Sequence, residues 1–230
     1  MKQGGSGDVS VGGTQVASAG TDDDEARAGS SLGSVLFDNR RWVHPVVLGA
    51  AIVLGGAHPW AVAAGAALIL AMLGLRLAVC RHIGGAARVH ARKAQQKRVL
   101  VTGGPFAWVR NPLYLANSFG LAGGCLLFGP PWWAGVACAA SLLWYSVVIR
   151  WEEGVLARLY GQEYTHYLAR VPRLLPWPPG RPADRPADRA AAYPPGALYP
   201  WRRVLRRERG AMIGAAVMIT AGVLVSVLLA

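Results

Sequence analysis

Charged residues are scarce in this 230-residue chain, at 16%, whereas hydrophobic residues make up 53%. A soluble domain usually carries about 25% charged residues. The apolar residues also fall in long runs, which excludes disorder over the whole chain and disfavours an ordinary soluble enzyme. The length accommodates about five membrane-spanning segments of roughly 20 residues each.

Acidic residues are missing from the centre of the chain. None lies between Asp38 and Glu152, although the chain has 12 acidic and 24 basic residues and a formal net charge of +12. The basic residues sit beside apolar runs, as the positive-inside rule predicts for cytoplasmic loops. We therefore expect membrane lipids as partners of these charges, and not nucleic acid, because no basic nucleic-acid-binding motif is present.

Cysteine and histidine are few and scattered. Cys80, Cys125 and Cys138 all fall in apolar runs, where a cysteine usually behaves as a small buried hydrophobe. None of the five histidines stands at metal-ligand spacing from another histidine or a cysteine. The sequence therefore predicts no metal site and no disulfide framework.

Five apolar segments predict an all-α, polytopic transmembrane helical bundle. They are residues 43–57, 60–80, 112–128, 134–149 and 211–230. Glycine and proline pairs punctuate them, at residues 55–59 and 129–131, and predict turns there. Small residues in the third segment, Gly123 and Gly124 among them, permit close helix packing. If the first segment enters from the cytoplasm, the basic clusters at residues 81–98 and 201–210 both lie on that side.

The segments divide the chain into four parts. Residues 1–36 are rich in glycine, serine and aspartate, which predicts a disordered tail. Residues 37–176 are predicted to form the membrane core. Within that core, residues 151–171 have helical apolar spacing among charges and predict an amphipathic helix at the cytoplasmic face. Residues 177–200 form a proline-rich linker with the sequence Arg-Pro-Ala-Asp twice, and residues 201–230 a basic segment and a final transmembrane helix.

Arg76 is a charged residue near the end of the second apolar segment. Two interpretations apply to it. Its side chain can snorkel to the headgroup region, or it can be a buried functional charge. Of the two, the sequence favours snorkelling.

Two segments at the predicted cytoplasmic face could carry chemistry. Residues 98–114 are rich in glycine and proline where the chain re-enters the bilayer, which fits either a plain inter-helix loop or the lining of a cavity. Glu152 and Glu153 end the long stretch without acid. A carboxylate pair at a membrane boundary fits either a matched cation or an acidic helix start.

The order of residues in these two segments resembles the isoprenylcysteine carboxyl methyltransferase family and its phospholipid methyltransferase relatives. The resemblance covers about residues 40–176. The first motif comprises Gly104, Phe106, Trp108, Arg110, Pro112 and Tyr114. The second comprises Glu152, Glu153, Leu156, Tyr160, Gly161, Glu163, Tyr164, Tyr167, Val171, Arg173 and Pro176.

The resemblance implies an integral-membrane methyltransferase that uses S-adenosylmethionine in a pocket facing the cytoplasm, in a plasma or inner membrane. The acceptor it implies is lipophilic and enters from the bilayer: a prenylcysteine-like carboxylate, a lipid amine or a hydrophobic thiol. Arg110 and Glu153 are the candidate catalytic residues. The candidate cofactor-binding residues are Leu100, Val101, Phe106, Asn111, Pro112, Leu113, Tyr114 and Glu152.

Two positions depart from the family pattern. Asn111 stands where the family usually has histidine, so a side chain that titrates near neutrality is lost there. Val148 stands one helical turn before the acidic pair, where prenylcysteine enzymes have an arginine that holds the substrate carboxylate. Two other functions stay open: a nicotinamide-dependent membrane reductase of related architecture, and a membrane scaffold that keeps the fold without turnover.

Overall fold

The computed structural model describes residues 32–83, 100–175 and 198–228. In these ranges the chain forms six α-helices and one short 3-10 helix, with no β-strand. They are α1 (Leu32–Leu54), α2 (Pro59–Ile83), the 3-10 turn (Gly104–Ala107), α3 (Pro112–Phe128), α4 (Pro131–Tyr160), α5 (Gln162–Arg170) and α6 (Trp201–Leu228). The predicted all-α class is confirmed.

Three helices, α2, α4 and α6, are long and apolar enough to cross a membrane. Two further apolar stretches are shorter, Trp42–Leu54 within α1 and Pro112–Phe128, which is α3. Each of the five corresponds to a predicted segment, so the helical bundle is confirmed with three candidate spans, and the count of five spans stays a prediction. The end of α2 and the start of α6 meet, and we call this end of the bundle, which carries Arg81 and Arg202, the basic end.

Two helix boundaries differ from the prediction. Helix α1 begins at Leu32, inside the segment predicted as a disordered tail, and its residues Leu36 and Phe37 pack against α4. Helix α4 continues past Arg150 to Tyr160, and it ends because Gly161 adopts a φ of +56°. The stretch predicted as amphipathic and helical, residues 151–171, is helical in the structure, but Gly161 divides it. It is the last part of α4 followed by the separate helix α5.

Several predicted segments fall outside the described ranges. These are residues 1–31 of the tail, residues 84–98 of the basic cluster, and residues 177–197 of the proline-rich linker with its repeat. The predictions made for them stay predictions.

Small residues bring α2 and α3 into close contact. A β-carbon at Gly65 would lie 2.6 Å from the carbonyl oxygen of Gly123, and one at Gly123 would lie 2.9 Å from the carbonyl oxygen of Gly65. A β-carbon at Gly124 would lie 2.7 Å from the methyl carbon of Met218 on α6. The expectation that glycines in the third segment permit close packing is confirmed.

Helix α6 is joined to α2 by a buried ion pair. The Arg76 Nε donates to Glu208 Oε2 at 2.8 Å, and the Glu208 side chain is only 4% exposed. Arg76 Nη1 also donates to Asn117 Oδ1 on α3 at 3.0 Å. Arg76 is thus paired with a buried carboxylate, a partner that neither interpretation of the sequence had named.

Candidate functional site

The two motif segments meet at the basic end of the bundle. The backbone N–H of Arg110 donates to the Pro172 carbonyl oxygen at 2.8 Å. Both the backbone N–H and the side-chain Nδ2 of Asn111 donate to the Arg173 carbonyl oxygen, each at 3.2 Å. Residues that are about 60 positions apart in the sequence therefore form one rigid unit at the start of α3.

Glu153 is the centre of this unit. Its Oε1 lies 3.2 Å from Arg110 Nη2, and its Oε2 accepts a hydrogen bond from Arg173 Nη2 at 2.6 Å. Arg173 Nε also donates to Oε1, at 3.3 Å, so this arginine binds the carboxylate through two nitrogens. Two guanidinium groups thus match one buried carboxylate, and we call these three residues the Glu153 cluster.

Arg110 also reaches α5. Its Nη1 donates to the Leu168 carbonyl oxygen at 3.0 Å. Its Nε is buried and has no hydrogen-bond partner in the described part of the chain. A buried donor without a partner is costly in a folded protein.

Helix α5 contacts the 3-10 turn. The Tyr167 hydroxyl donates to the Phe106 carbonyl oxygen at 2.7 Å. Leu100, Tyr164, Tyr167 and Val171 pack into one buried cluster beside it. Burial, with the Glu153 carboxylate as the second cause, raises the pKa of the Tyr164 hydroxyl to about 12, so this phenol is neutral at cellular pH.

Tyr114 lies on the side of α4 that carries the acidic pair. Its ring is buried, with its centroid 4.5 Å from that of Tyr145, and it packs with Val148 and Ile149. Val148 precedes Glu152 by four residues, so the two lie on the same face of α4, one turn apart. Tyr114 and the partly buried Glu152 therefore border the same region of the molecule.

The remaining predicted cofactor residues lie in the loop before α3 or in its first turn. Asn111 precedes α3, and Pro112 occupies its first turn, where proline needs no hydrogen-bond donor. Pro112 is buried, whereas Val101 and Leu113 are partly buried. The structure thus brings Phe106, Asn111 and Tyr114 together with the α4 segment that carries Glu152 and Glu153.

Val148 is fully buried in the apolar cluster around Tyr114, and Arg150 is exposed. Neither residue offers a cation at the place where the resemblance implies a carboxylate-binding arginine.

Sequence reasoning missed Arg173 and Tyr167 as site residues. Both were present in the second motif, but motif order alone does not say which residues turn inward. Their packing against residues 106–111 requires α5 to fold back after the Gly161 break. Gly161, which lies between two tyrosine-containing stretches, was the sequence signal for this break.

The end of α2 packs against the 3-10 turn. Gly104 has a φ of +61°, and a β-carbon there would overlap the His82 ring. The His82 ring is itself fixed by its Nδ1, which lies 2.7 Å from the Ala78 carbonyl oxygen. Glycine at position 104 is therefore required by both backbone conformation and space.

A family model described as phospholipid methyltransferase matches residues 60–163 of this chain. The chain belongs to the phospholipid methyltransferase family. The match runs from the start of α2 to the start of α5, and it leaves α1 and α6 outside. With three helices long and apolar enough to span a bilayer, membership in this family indicates an integral-membrane protein of methyltransferase type.

Two curated relatives match this family member. The nickel-cobalt-cadmium resistance protein NccN of Alcaligenes xylosoxydans xylosoxydans is 30% identical over 153 residues, which cover 65% of this chain and 70% of that protein. The cobalt-zinc-cadmium resistance protein CzcN of Cupriavidus metallidurans is 31% identical over 150 residues, which cover 63% of this chain and 58% of that protein. No solved structure matches significantly.

Both relatives are named for resistance to divalent metals, but the described residues of this chain contain no group of three or more histidine, cysteine, aspartate or glutamate side chains that could hold a metal ion.

Proposed function

We propose that this phospholipid methyltransferase family member is an S-adenosylmethionine-dependent enzyme of the plasma or inner membrane, with its donor site at the basic end facing the cytoplasm. The observation that carries the proposal is the joining of the two motif segments, through the Arg110–Glu153 ion pair and the Asn111–Arg173 hydrogen bonds. The orientation rests on the arginines at that end, since basic residues favour the cytoplasmic side.

The chemistry of the residues present fits S-adenosylmethionine. The methyl donor has a cationic sulfur, an amino-acid moiety, a ribose and an adenine. Glu152 supplies a carboxylate for the ammonium or ribose hydroxyls, and the unpartnered Nε of Arg110 supplies a buried donor for an anionic or carbonyl oxygen. The rings of Phe106 and Tyr114 supply apolar faces for the adenine.

When bound, S-adenosylmethionine supplies an electrophilic methyl group on a positively charged sulfur. The chain's contribution is to bind, to orient and to exclude water. Arg110 and Glu153 fix the site in this scheme by holding each other and α5. Asn111 cannot accept a proton near neutral pH, so that position does not serve as a general base.

The site favours an amine or thiol acceptor over a carboxylate. A carboxylate entering from the bilayer needs a cation to compensate for its desolvation. Val148 is fully buried among apolar side chains, and the nearby Arg150 is exposed. We therefore place a lipid amine or a hydrophobic thiol ahead of a prenylcysteine-like carboxylate.

The metal-resistance names of the two relatives suggest that the methyl acceptor is present when cells are exposed to metal. We propose that any contribution to resistance passes through the methylated membrane component and not through direct metal binding by the described residues. Membranes should therefore be prepared from cells grown with and without added cobalt.

The decisive experiment is transfer of a radiolabelled methyl group from S-adenosylmethionine to such membranes, followed by lipid extraction. We expect label in the organic phase with the native chain. Glu152→Gln should weaken binding of the donor about tenfold, because a hydrogen bond to a charged group is worth about 1.5 to 3 kcal/mol.

Exchange of the exposed acid Glu163→Gln is the matched control and should leave donor binding unchanged. The thermal midpoint in detergent, measured with S-adenosylmethionine or with a nicotinamide cofactor, separates the alternatives, since only a ligand of the folded state raises it. A rise with the nicotinamide alone would indicate a reductase. No label and no rise with either ligand would indicate a scaffold.

A further inference from the structure

Glu208 is a buried acid within a basic turn. Arg202, Arg203, Arg206 and Arg209 around it are exposed, whereas Glu208 is only 4% exposed. One carboxylate oxygen accepts from Arg76 Nε at 2.8 Å, and the other accepts from the Cys80 thiol at 3.4 Å. Since Arg76 and Cys80 are one turn apart on α2, Glu208 binds two successive turns of that helix.

The burial of two charged groups costs free energy, so stability alone does not explain the Arg76–Glu208 pair. Desolvation of two charges offsets much of their attraction, and ionisable residues within membrane segments usually serve function. Apolar contacts attach α6 further from the basic end, where a β-carbon at Gly222 would lie 2.9 Å from Leu127 Cβ. The ion pair therefore specifies where the first turns of α6 sit against α2.

A second contact holds the end of α2 just beyond this ion pair. The Tyr199 N–H donates to the Arg81 carbonyl oxygen at 3.1 Å. The Arg81 guanidinium lies over the Trp201 ring, 4.7 Å from its centroid. The last turn of α2 is thus held by the chain on both sides of Pro200.

That same turn supports the donor site. His82 follows Arg81 directly, and its ring fills the space that a side chain at position 104 would need. Gly104 opens the 3-10 turn that carries Phe106. A continuous line of contacts therefore runs from Glu208 through Arg76, the end of α2 and His82 to the 3-10 turn.

We infer that α6, although outside the stretch matched to the family, positions the 3-10 turn for methyl-donor binding, and that Glu208 is the positioning residue. The inference rests on the proposed function for its ligand. It makes the C-terminal helix a working part of the donor site and not only a membrane anchor. Residues held by such supporting contacts keep a binding site in its productive geometry.

The test uses the full chain purified in detergent. Glu208→Gln should weaken binding of S-adenosylmethionine about fivefold, the lower end of usual coupling between linked sites. It should also speed hydrogen exchange at the amides of residues 104–110. Arg209→Gln, which removes the neighbouring exposed charge, should change neither quantity.

A charge-reversed variant separates positioning from folding. Arg76→Glu combined with Glu208→Arg should restore both donor affinity and slow exchange in residues 104–110, even if Glu208→Gln alone fails to fold. A lower thermal midpoint with unchanged affinity and exchange in Glu208→Gln would overturn the inference. If the native chain does not bind S-adenosylmethionine, the proposed function fails, while the exchange measurement still decides the positioning role.

Discussion

Glu153 and Glu208 are two buried carboxylates at the same end of the bundle, each held by arginine. Glu153 lies in the family-matched stretch and has two guanidinium partners, Arg110 and Arg173. Glu208 lies outside that stretch, and its partners include the Arg76 guanidinium and the Cys80 thiol. The first carboxylate joins α4 to the loop before α3 and to the segment after α5, and the second joins α6 to α2.

The two carboxylates join different elements of the bundle, so they have different tasks. Removal of Glu153 leaves two buried or partly buried cations near each other. This carboxylate is therefore required for the loop before α3 and the segment after α5 to pack against α4. Removal of Glu208 leaves the Arg76 guanidinium without this carboxylate, and the Arg76 side chain is 30% exposed. In the proposed function the Glu153 cluster therefore builds the donor site, whereas the Arg76–Glu208 pair positions it from a helix that the family model does not include.

The largest effect is expected for Glu153→Gln. Loss of one member of a buried ion pair costs about 3 to 5 kcal/mol, and we expect the lower end because the Arg173 side chain is 36% exposed. The thermal midpoint in detergent should fall strongly, and donor binding should be lost. Glu208→Gln should lower the midpoint less, because the Arg76 side chain that it leaves unmatched is 30% exposed, whereas the Arg110 side chain beside Glu153 is 11% exposed.

The exposed Glu163→Gln serves as the control for Glu153→Gln. A fall of the midpoint with Glu208→Gln that equals or exceeds the fall with Glu153→Gln would reverse the ranking of the two carboxylates. The double variant Glu153→Gln with Arg173→Met should lose less stability than the sum of the single variants. The double change removes both the buried carboxylate and its Arg173 partner, so neither is left without the other.

An intermediate effect is expected for Gly104→Ala, which alters the contact between the two regions. The left-handed backbone alone costs a non-glycine residue about 1 to 2 kcal/mol. Overlap with the His82 ring adds to this cost, so the 3-10 turn must move. Donor affinity should fall more than the thermal midpoint, because the displacement is local to Phe106 and its neighbours.

Gly161→Ala is the matched comparison for Gly104→Ala. Gly161 has nearly the same φ, +56°, but a β-carbon there would meet no atom within 4 Å. It should therefore show a backbone cost without any overlap at the His82 ring. Equal losses of donor affinity in the two variants would contradict the packing of His82 against Gly104 as the cause.

Much of this architecture was accessible from the sequence, for physical reasons that differ by region. The five apolar segments were predictable because each is a long run bounded by glycine, proline or charge, and Pro112 marked the start of α3. The start of α1 at Leu32 was hidden by a glycine- and serine-rich composition. Its stability comes from packing of Leu36 and Phe37 on α4, which no local pattern encodes.

The candidate site was predictable in part. Motif order indicated that residues 104–114 and Glu152-Glu153 belong together, and the structure joins them. The partner of Arg76 was not predictable, because Glu208 is 132 positions away and the family pattern does not reach it. A lone acid among five arginines in residues 202–209 was the one available signal. An acid so placed either sits among the arginines on the surface or turns inward, and only tertiary packing decides which.

The smallest effect is expected from alkaline pH, at Tyr164 beside the Glu153 cluster. The folded-state pKa of Tyr164, at about 12, is above its ordinary value of 10. The folded chain therefore holds this proton more tightly than the unfolded chain, and the stabilisation is fully present below pH 10 and declines as the pH rises toward 12. In Tyr164→Phe, the thermal midpoint should decline less between pH 10 and 11 than in the native chain. Parallel declines would mean that burial and the Glu153 charge do not raise the pKa of Tyr164 in the folded chain.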